Sequence, residues 1–173
     1  MNAKLIKFEI KEMPVLCVVG KQITAKMSEI ETNNPIPAFW KECFKENMFE
    51  NIRTELKEYI YDPSFVGFMQ MTSPGEFIYI CGILMKPGCP VSQGCILHNI
   101  DSYTAGIGWI QGKEPDIYML EHTATEKAAN EAGFEYDSKL DFSIEFYNCS
   151  RYNEPNSTGD VIIDYYIPVK KKI

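Results

Sequence analysis

The first part of the chain alternates apolar and charged residues with the two-residue period of a half-buried strand. Residues 4–10 place Leu5, Lys7 and Glu9 on one side and Ile6, Phe8 and Ile10 on the other. Met13-Pro14 interrupts this alternation, and residues 15–23 are predicted to form a second strand. Residues 29–37 are rich in Asn and Pro and are predicted to form a loop.

A helix is predicted to begin at Asn34-Pro35-Ile36-Pro37, because a proline in the first turn loses no intrahelical hydrogen bond. Apolar residues then recur on one face from Phe39 to Phe49, with Lys and Glu opposite them. Two strands follow, over residues 65–71 and 76–85. The residues between them, Thr72-Ser73-Pro74-Gly75, are typical of a tight turn.

The second half of the chain repeats this order of elements. Two strands are predicted within residues 95–111, a helix over 116–132, and strands over 140–148 and 161–169. The chain therefore reads as two strand–strand–helix–strand–strand repeats, at about residues 1–88 and 95–173. We expect an α+β fold in which duplicated units form an antiparallel sheet, with two helices on one face and a central ligand groove between the repeats.

Composition narrows the class of partner. The chain has 173 residues and a formal net charge of −7, which fits one domain of ordinary size. An acidic surface disfavours nucleic acid and membranes, because phosphate groups are bound by Lys and Arg. A cationic or neutral small molecule is left as the expected partner.

The N-terminal residues contain no apolar core of a signal peptide, and no run approaches the length of a membrane span, so a cytoplasmic protein is expected. The six cysteines lack a C-x-x-C pair. One cluster, Cys81, Cys89, Cys95 and His98, matches no common zinc spacing, so buried or loop thiols are favoured over a metal site. We expect neither a metal nor a cofactor.

Glu145 is the strongest candidate for function, because it is a carboxylate inside an otherwise apolar strand. Alternation places Ser143, Glu145 and Tyr147 on one face of that strand. The opposite face is bulkier and apolar and is expected to meet the helices, which would direct Glu145 and Tyr147 into the groove. The matching residue of the first repeat is Phe68. A half-buried carboxylate needs compensation, and a ligand cation would provide it; a rim carboxylate in water is the alternative.

Aromatic residues provide candidate walls for such a ligand, since ring faces attract flat cations. Tyr166 is assigned to the same face as Glu145, and Tyr103 and Trp109 lie in the strand that opens the second repeat. For each aromatic residue taken singly, including Trp40, packing in the core is the competing interpretation.

Short motifs along nearly the whole chain resemble the GyrI-like small-molecule-binding domain, also called the bacterial transcription-activator effector-binding domain, and especially its stand-alone, integron-associated subgroup. The matching segments are Met13-Pro14-Val15, Val19-Gly20, Ile36-Pro37-Ala38-Phe39-Trp40, Gly75 to Gly82, Ser102 to Gly106, Ile144-Glu145-Phe146-Tyr147 and Tyr166 to Lys170.

The resemblance implies a duplicated β-α-β-β unit with a ligand groove at its pseudo-twofold axis. It places Glu145 on the central acidic residue of the family and Tyr147 and Tyr166 among the pocket residues. It also implies multidrug binding and a link to transcription regulation. The chain departs from the family in helix 116–132, which lacks a Trp, and in the long loop 149–159.

Three functions are open at this point. The first is binding of cationic or amphipathic aromatic molecules on Glu145, with Tyr147, Tyr166, Tyr103, Trp40, Phe68 and Trp109 around them. The second is hydrolysis of reactive small molecules with Glu145 as general base. The third is a protein-interaction role such as gyrase modulation, in which an acidic surface would meet a basic partner.

Overall fold

The computed structural model describes residues 2–173, in which nine strands and five helices make up an α+β fold. The strands are β1 (Lys4–Met13), β2 (Leu16–Lys26), β3 (Ile60–Ser73), β4 (Glu76–Met85), β5 (Ile96–Ile100), β6 (Tyr103–Gly112), β7 (Phe134–Tyr136), β8 (Phe142–Tyr147) and β9 (Val161–Lys171). The helices are α1 (Met27–Asn33), α2 (Ile36–Lys45), α3 (Met48–Glu55), α4 (Asp116–Glu131) and α5 (Cys149–Tyr152).

The chain forms two compact units, one of residues 15–101 and one of the residues up to Pro14 and from Ser102 onward. In the first unit the strand order is β3-β4-β2-β5, and in the second it is β8-β9-β6-β1, with β7 also paired to β9. All of these pairs are antiparallel. The α+β class and the antiparallel strands predicted from the sequence are thus confirmed.

The two units have the same internal order because the repeats exchange their first strands. β1 begins the first sequence repeat, yet it pairs with β6 of the second. β5 begins the second repeat and pairs with β2 of the first. The spatial units therefore differ from the sequence repeats at about 1–88 and 95–173 by this one exchange.

In unit 15–101 the core lies between α2, α3 and one face of the sheet. Phe39 and Cys43 of α2 and Ile52 of α3 cluster with Tyr79 and Cys81 of β4. The predicted continuous helix is divided at Asn47, which adopts a left-handed conformation with φ of 53°. All six cysteines are free thiols, and the structure shows no group of three or more potential metal ligands within residues 2–173.

In the other unit α4 packs across β6 and β9. Ile117 of α4 clusters with Ile110 and Ile163, and Ala129 clusters with Tyr165 and Ile167. The helix approaches β6 closely at Gly108, where an added Cβ would lie 2.2 Å from Thr125 Oγ1. Among the described residues, no helix is both long and apolar enough to cross a membrane.

Three local predictions were wrong or incomplete. Residues 29–37 are not a loop throughout, because α1 occupies Met27–Asn33; none of its residues is buried, so it lacks the apolar stripe by which a helix is recognised. β7 and α5 were not predicted. Both are short, at three and four residues, and too short to show a periodic pattern.

Candidate functional site

The candidate site is a pair of carboxyl groups between α4 and the sheet of its unit. Glu145 of β8 is half-buried, and Glu121 of α4 is only 6% exposed. The two side chains share a hydrogen bond. The pair is therefore built from one residue that the sequence analysis selected and one that it did not.

Glu145 faces α4 because of its register with β9. Its cross-strand partner is Tyr165, and directly opposed residues of an antiparallel pair project to the same face. Tyr165 Oη lies 3.2 Å from Nδ1 of His122 on α4. The prediction that the apolar face of β8 meets the helix is therefore wrong: the face with Ser143, Glu145 and Tyr147 does.

Glu121 reaches the pair because it lies on the buried stripe of α4. The residues of this stripe recur every four positions, as Ile117, Glu121, Thr125 and Ala129. Glu121 is not among the candidates selected from the sequence, and its burial shows that it belongs to the inner face of α4. The signal that could have revealed it is the regular four-residue spacing between Ile117 and Ala129.

Burial and charge both act on Glu121. Desolvation raises the pKa of its carboxyl well above the usual value, and the charge of Glu145 and their shared hydrogen bond raise it further. Tyr147 Oη donates a hydrogen bond to Glu145 Oε2 at 2.8 Å. The pair thus has a protonated carboxyl on its buried side and a carboxylate stabilised by a phenol on its outer side.

Tyrosines surround the pair. Tyr147 packs edge-to-face on Tyr152 of α5, with ring centroids 4.9 Å apart. The Tyr118 and Tyr152 hydroxyls are 2.6 Å apart, and each can donate its proton to Glu114. The single hydroxyl proton of Tyr118 has Tyr147 as an alternative acceptor. Burial raises the pKa of Tyr118, and hydrogen bonding to Glu114 adds to this effect. Of the aromatic side chains predicted to surround Glu145, Tyr147 does so, and it donates a hydrogen bond to the Glu145 carboxylate.

Tyr166, Tyr103 and Trp109 lie on the other face of this sheet. Tyr166 is adjacent to Tyr165 and so points away from Glu145, and its ring packs on Phe146 at 4.2 Å. Tyr103 is buried against Phe142. The assignment of Tyr166 to the Glu145 face is therefore wrong, because a shift of one residue in register changes the face.

Trp109 is engaged by two cations of its own chain. The Arg151 guanidinium lies 4.1 Å from the ring centroid and Lys7 Nζ lies 4.3 Å from it. Arg151 also forms a two-point ion pair with Asp164, at 3.1 and 2.5 Å. This Trp109–Arg151 contact belongs to the packing of its unit and does not involve Glu145.

Trp40 and Phe68 belong to unit 15–101. Trp40 Nε1 donates to Tyr79 Oη at 3.0 Å, and its ring stacks on Phe49 at 5.6 Å. Phe68 pairs with Ile80, whose neighbours Tyr79 and Cys81 face α2 and α3, so Phe68 lies on the opposite face. Glu145, in contrast, is on the helix side of its sheet, and the pairing of Phe68 with Glu145 as equivalent residues does not hold.

A separate surface depression of about 490 Å³ follows the outer side of α4. It is lined by Thr123, Glu126, Lys127, Asn130 and Glu131. None of the residues predicted from the sequence lines it. Glu131 is useful as a reference, since it is an exposed carboxylate on the same helix as Glu121.

Comparison with known proteins supports the fold. No protein-family model and no curated protein matches the chain. Among solved structures, SAV2435 bound to tetraphenylphosphonium superposes with a TM-score of 0.66 at 15% identity, covering 95% of this chain and 94% of that one. An integron cassette protein of Vibrio cholerae, VCH_CASS2, gives 0.62 at 13% identity, with 98% and 100% covered. The EcmrR C-terminal domain gives 0.57 at 13% identity, with 96% and 98% covered. These similarities show that the chain has the GyrI-like fold.

Proposed function

We propose that this protein binds cationic aromatic small molecules on the carboxylate of Glu145. The observation that carries the proposal is the Glu121–Glu145 pair, a half-buried carboxylate placed among tyrosines and next to a second carboxyl. An anionic group in such surroundings gains most from a cation that also covers ring faces. The phosphonium ligand of SAV2435, a protein of the same fold, is a cation of this kind and supports the proposal.

The proposed ligand approaches from the side of Glu145. This carboxylate is half-buried and already oriented by the hydroxyl of Tyr147, whereas Glu121 lies behind it and is almost fully buried. A cation would therefore meet Glu145 first, with the Tyr147 ring beside it. The wider set of walls predicted from the sequence, Tyr166, Tyr103, Trp40, Phe68 and Trp109, is not needed for this contact.

Two probes of the same shape and opposite charge test the proposal. Tetraphenylphosphonium should bind and tetraphenylborate should not, when each is titrated against the intrinsic tyrosine and tryptophan fluorescence. Glu145→Gln should weaken phosphonium binding by about 2–4 kcal/mol if the charge pair is desolvated. The matched control is Glu131→Gln, which removes an exposed carboxylate and should leave the affinity unchanged. Equal affinity of Glu145→Gln and the parent would exclude the proposal.

A second candidate function uses the same pair as acid and base. A protonated carboxyl beside an ionised one can supply the acid and the base for hydrolysis of a strained electrophile such as an epoxide. Glu145 would take a proton from the attacking water, and Glu121 would give its proton to the ring oxygen that leaves carbon, so that one water is added. Diol formation that Glu145→Gln abolishes would favour this function. Absence of turnover across a panel of epoxides and strained esters would count against it.

The protein-interaction role, such as gyrase modulation, and a link to transcription regulation stay predictions from the resemblance. A pull-down with basic, DNA-handling proteins at low and high salt tests the first of them. Retention at low salt and loss at high salt is the expected result for an acidic surface.

A further inference from the structure

The contact between Glu121 and Glu145 requires a proton. Ionised carboxylates accept hydrogen bonds and cannot donate them, so a hydrogen bond between two carboxyl groups needs one of them to be protonated. Two carboxyl groups this close do not both ionise readily, since each charge disfavours the other. The pair therefore holds one proton and one negative charge.

The proton belongs to Glu121 and the charge to Glu145. Glu121 is 6% exposed, and its Oε2 has no hydrogen-bond partner among residues 2–173. Glu145 is half-buried and accepts a hydrogen bond from Tyr147. Water can solvate the charge on Glu145 but not one on Glu121.

The other titratable groups around the pair come from each element packed against it. Hydrogen bonds or charges connect these groups to Glu121, to Glu145 or to each other. They are Tyr118 and His122 on α4, Tyr147 on β8, Tyr165 on β9, Tyr136 on β7 and Tyr152 on α5. Glu114 contacts Tyr118 and Tyr152, and Glu126 contacts His122. Burial raises the pKa of Tyr118, Tyr136 and Tyr165.

We propose that the Glu121–Glu145 pair couples cation binding to release of one proton. A cation seated on Glu145 cancels the negative charge that opposes ionisation of Glu121. Glu121 then loses its proton to solvent, and the cation on Glu145 balances the added negative charge behind it. The balance is one cation bound and one proton released. The inference rests on the proposed function, because it requires that a cation binds at Glu145.

Calorimetry measures this coupling directly. Tetraphenylphosphonium is titrated into the full chain at pH 7.5–8.5, in phosphate and in Tris, whose ionisation enthalpies differ. The dependence of the binding enthalpy on the buffer should correspond to about one proton released per cation, with affinity rising up to tenfold per pH unit.

Glu121→Gln separates the coupling from binding itself. The amide has no proton to release, so the variant should bind the cation with an enthalpy that is the same in both buffers. Binding by the parent without proton release, or equal release by Glu121→Gln, overturns the coupling and leaves the proposed function intact. No cation binding by the parent overturns both.

An infrared measurement on the parent protein gives a test that does not depend on the variant folding. The carbonyl stretch of a protonated carboxylic acid should be present at pH 8 in the free protein and should disappear when the cation saturates it. Persistence of the band in the saturated protein contradicts the proposal.

Discussion

Glu145 lies directly opposite Tyr165 across the β8–β9 ladder. This pairing decides that the carboxylate points to α4, where it meets Glu121, and not to the face that carries Tyr166 and Phe146. The chemistry of the candidate site follows from this register, because it brings two carboxyl groups together. The pair shares one proton and carries one negative charge, which a single carboxylate could not do.

The raised pKa of Glu121 predicts that this residue lowers stability as pH rises. Below the unfolded value of about 4.3 the carboxyl is protonated in both states. Above it the unfolded chain releases its proton while the folded chain keeps it, so folding loses free energy until the folded pKa is reached. Glu121→Gln should therefore gain stability over the parent from pH 5 to pH 8, by up to about 1.4 kcal/mol per pH unit.

Urea unfolding of both proteins at several pH values measures that difference. The titrations of all other groups largely cancel between them. A difference in unfolding free energy that does not change with pH would mean that Glu121 has an ordinary pKa.

The Thr125 hydroxyl predicts a stabilising substitution. Thr125 is fully buried, and its Oγ1 has no hydrogen-bond partner within residues 2–173. Thr125→Val keeps the shape and removes the unsatisfied oxygen, so it should raise the free energy of unfolding by roughly 1 kcal/mol. Thr123→Val on the same helix is the control, because Thr123 is exposed and its Oγ1 donates to Leu120; it should change stability little. Clear destabilisation by Thr125→Val would show that the hydroxyl is hydrogen-bonded.

The ion pair of Arg151 with Asp164 predicts a large loss of stability on its disruption. Asp164 is 5% exposed, so Arg151→Met would leave a buried carboxylate without its cation, at a cost of about 2–4 kcal/mol in unfolding free energy. Adding Asp164→Asn to Arg151→Met should recover part of that loss. Lys127→Met, which breaks an exposed pair with Glu131, should cost less than about 0.5 kcal/mol. Equal effects of the two single variants would contradict the prediction.

Several features of the fold could be predicted from the sequence because they depend on neighbouring residues. Proline and glycine positions predict the start of α2 at Ile36, the turn before Glu76 and the end of α4 shortly before Gly133. The sharing of a face by Glu145 and Tyr147 follows from strand alternation, and their hydrogen bond confirms it.

The composition of the candidate site could be predicted only in part. Strand alternation indicates which residues share a face but not which face meets a helix. The prediction that Glu145 lies on the face away from the helices was therefore wrong. Glu121 was overlooked because a carboxylate on a helix is normally exposed, and its burial depends on Ile117 and Ala129 packing against the sheet.

The sequence by itself determined the order of the elements, their turns and the residues that share each face, because these depend on backbone preferences within a few residues. Only the tertiary structure decided that β1 pairs with β6, that Glu145 opposes Tyr165, and that Glu121 joins Glu145. Such pairings join residues far apart in the chain. They depend on which faces bury together, and local patterns do not contain that information.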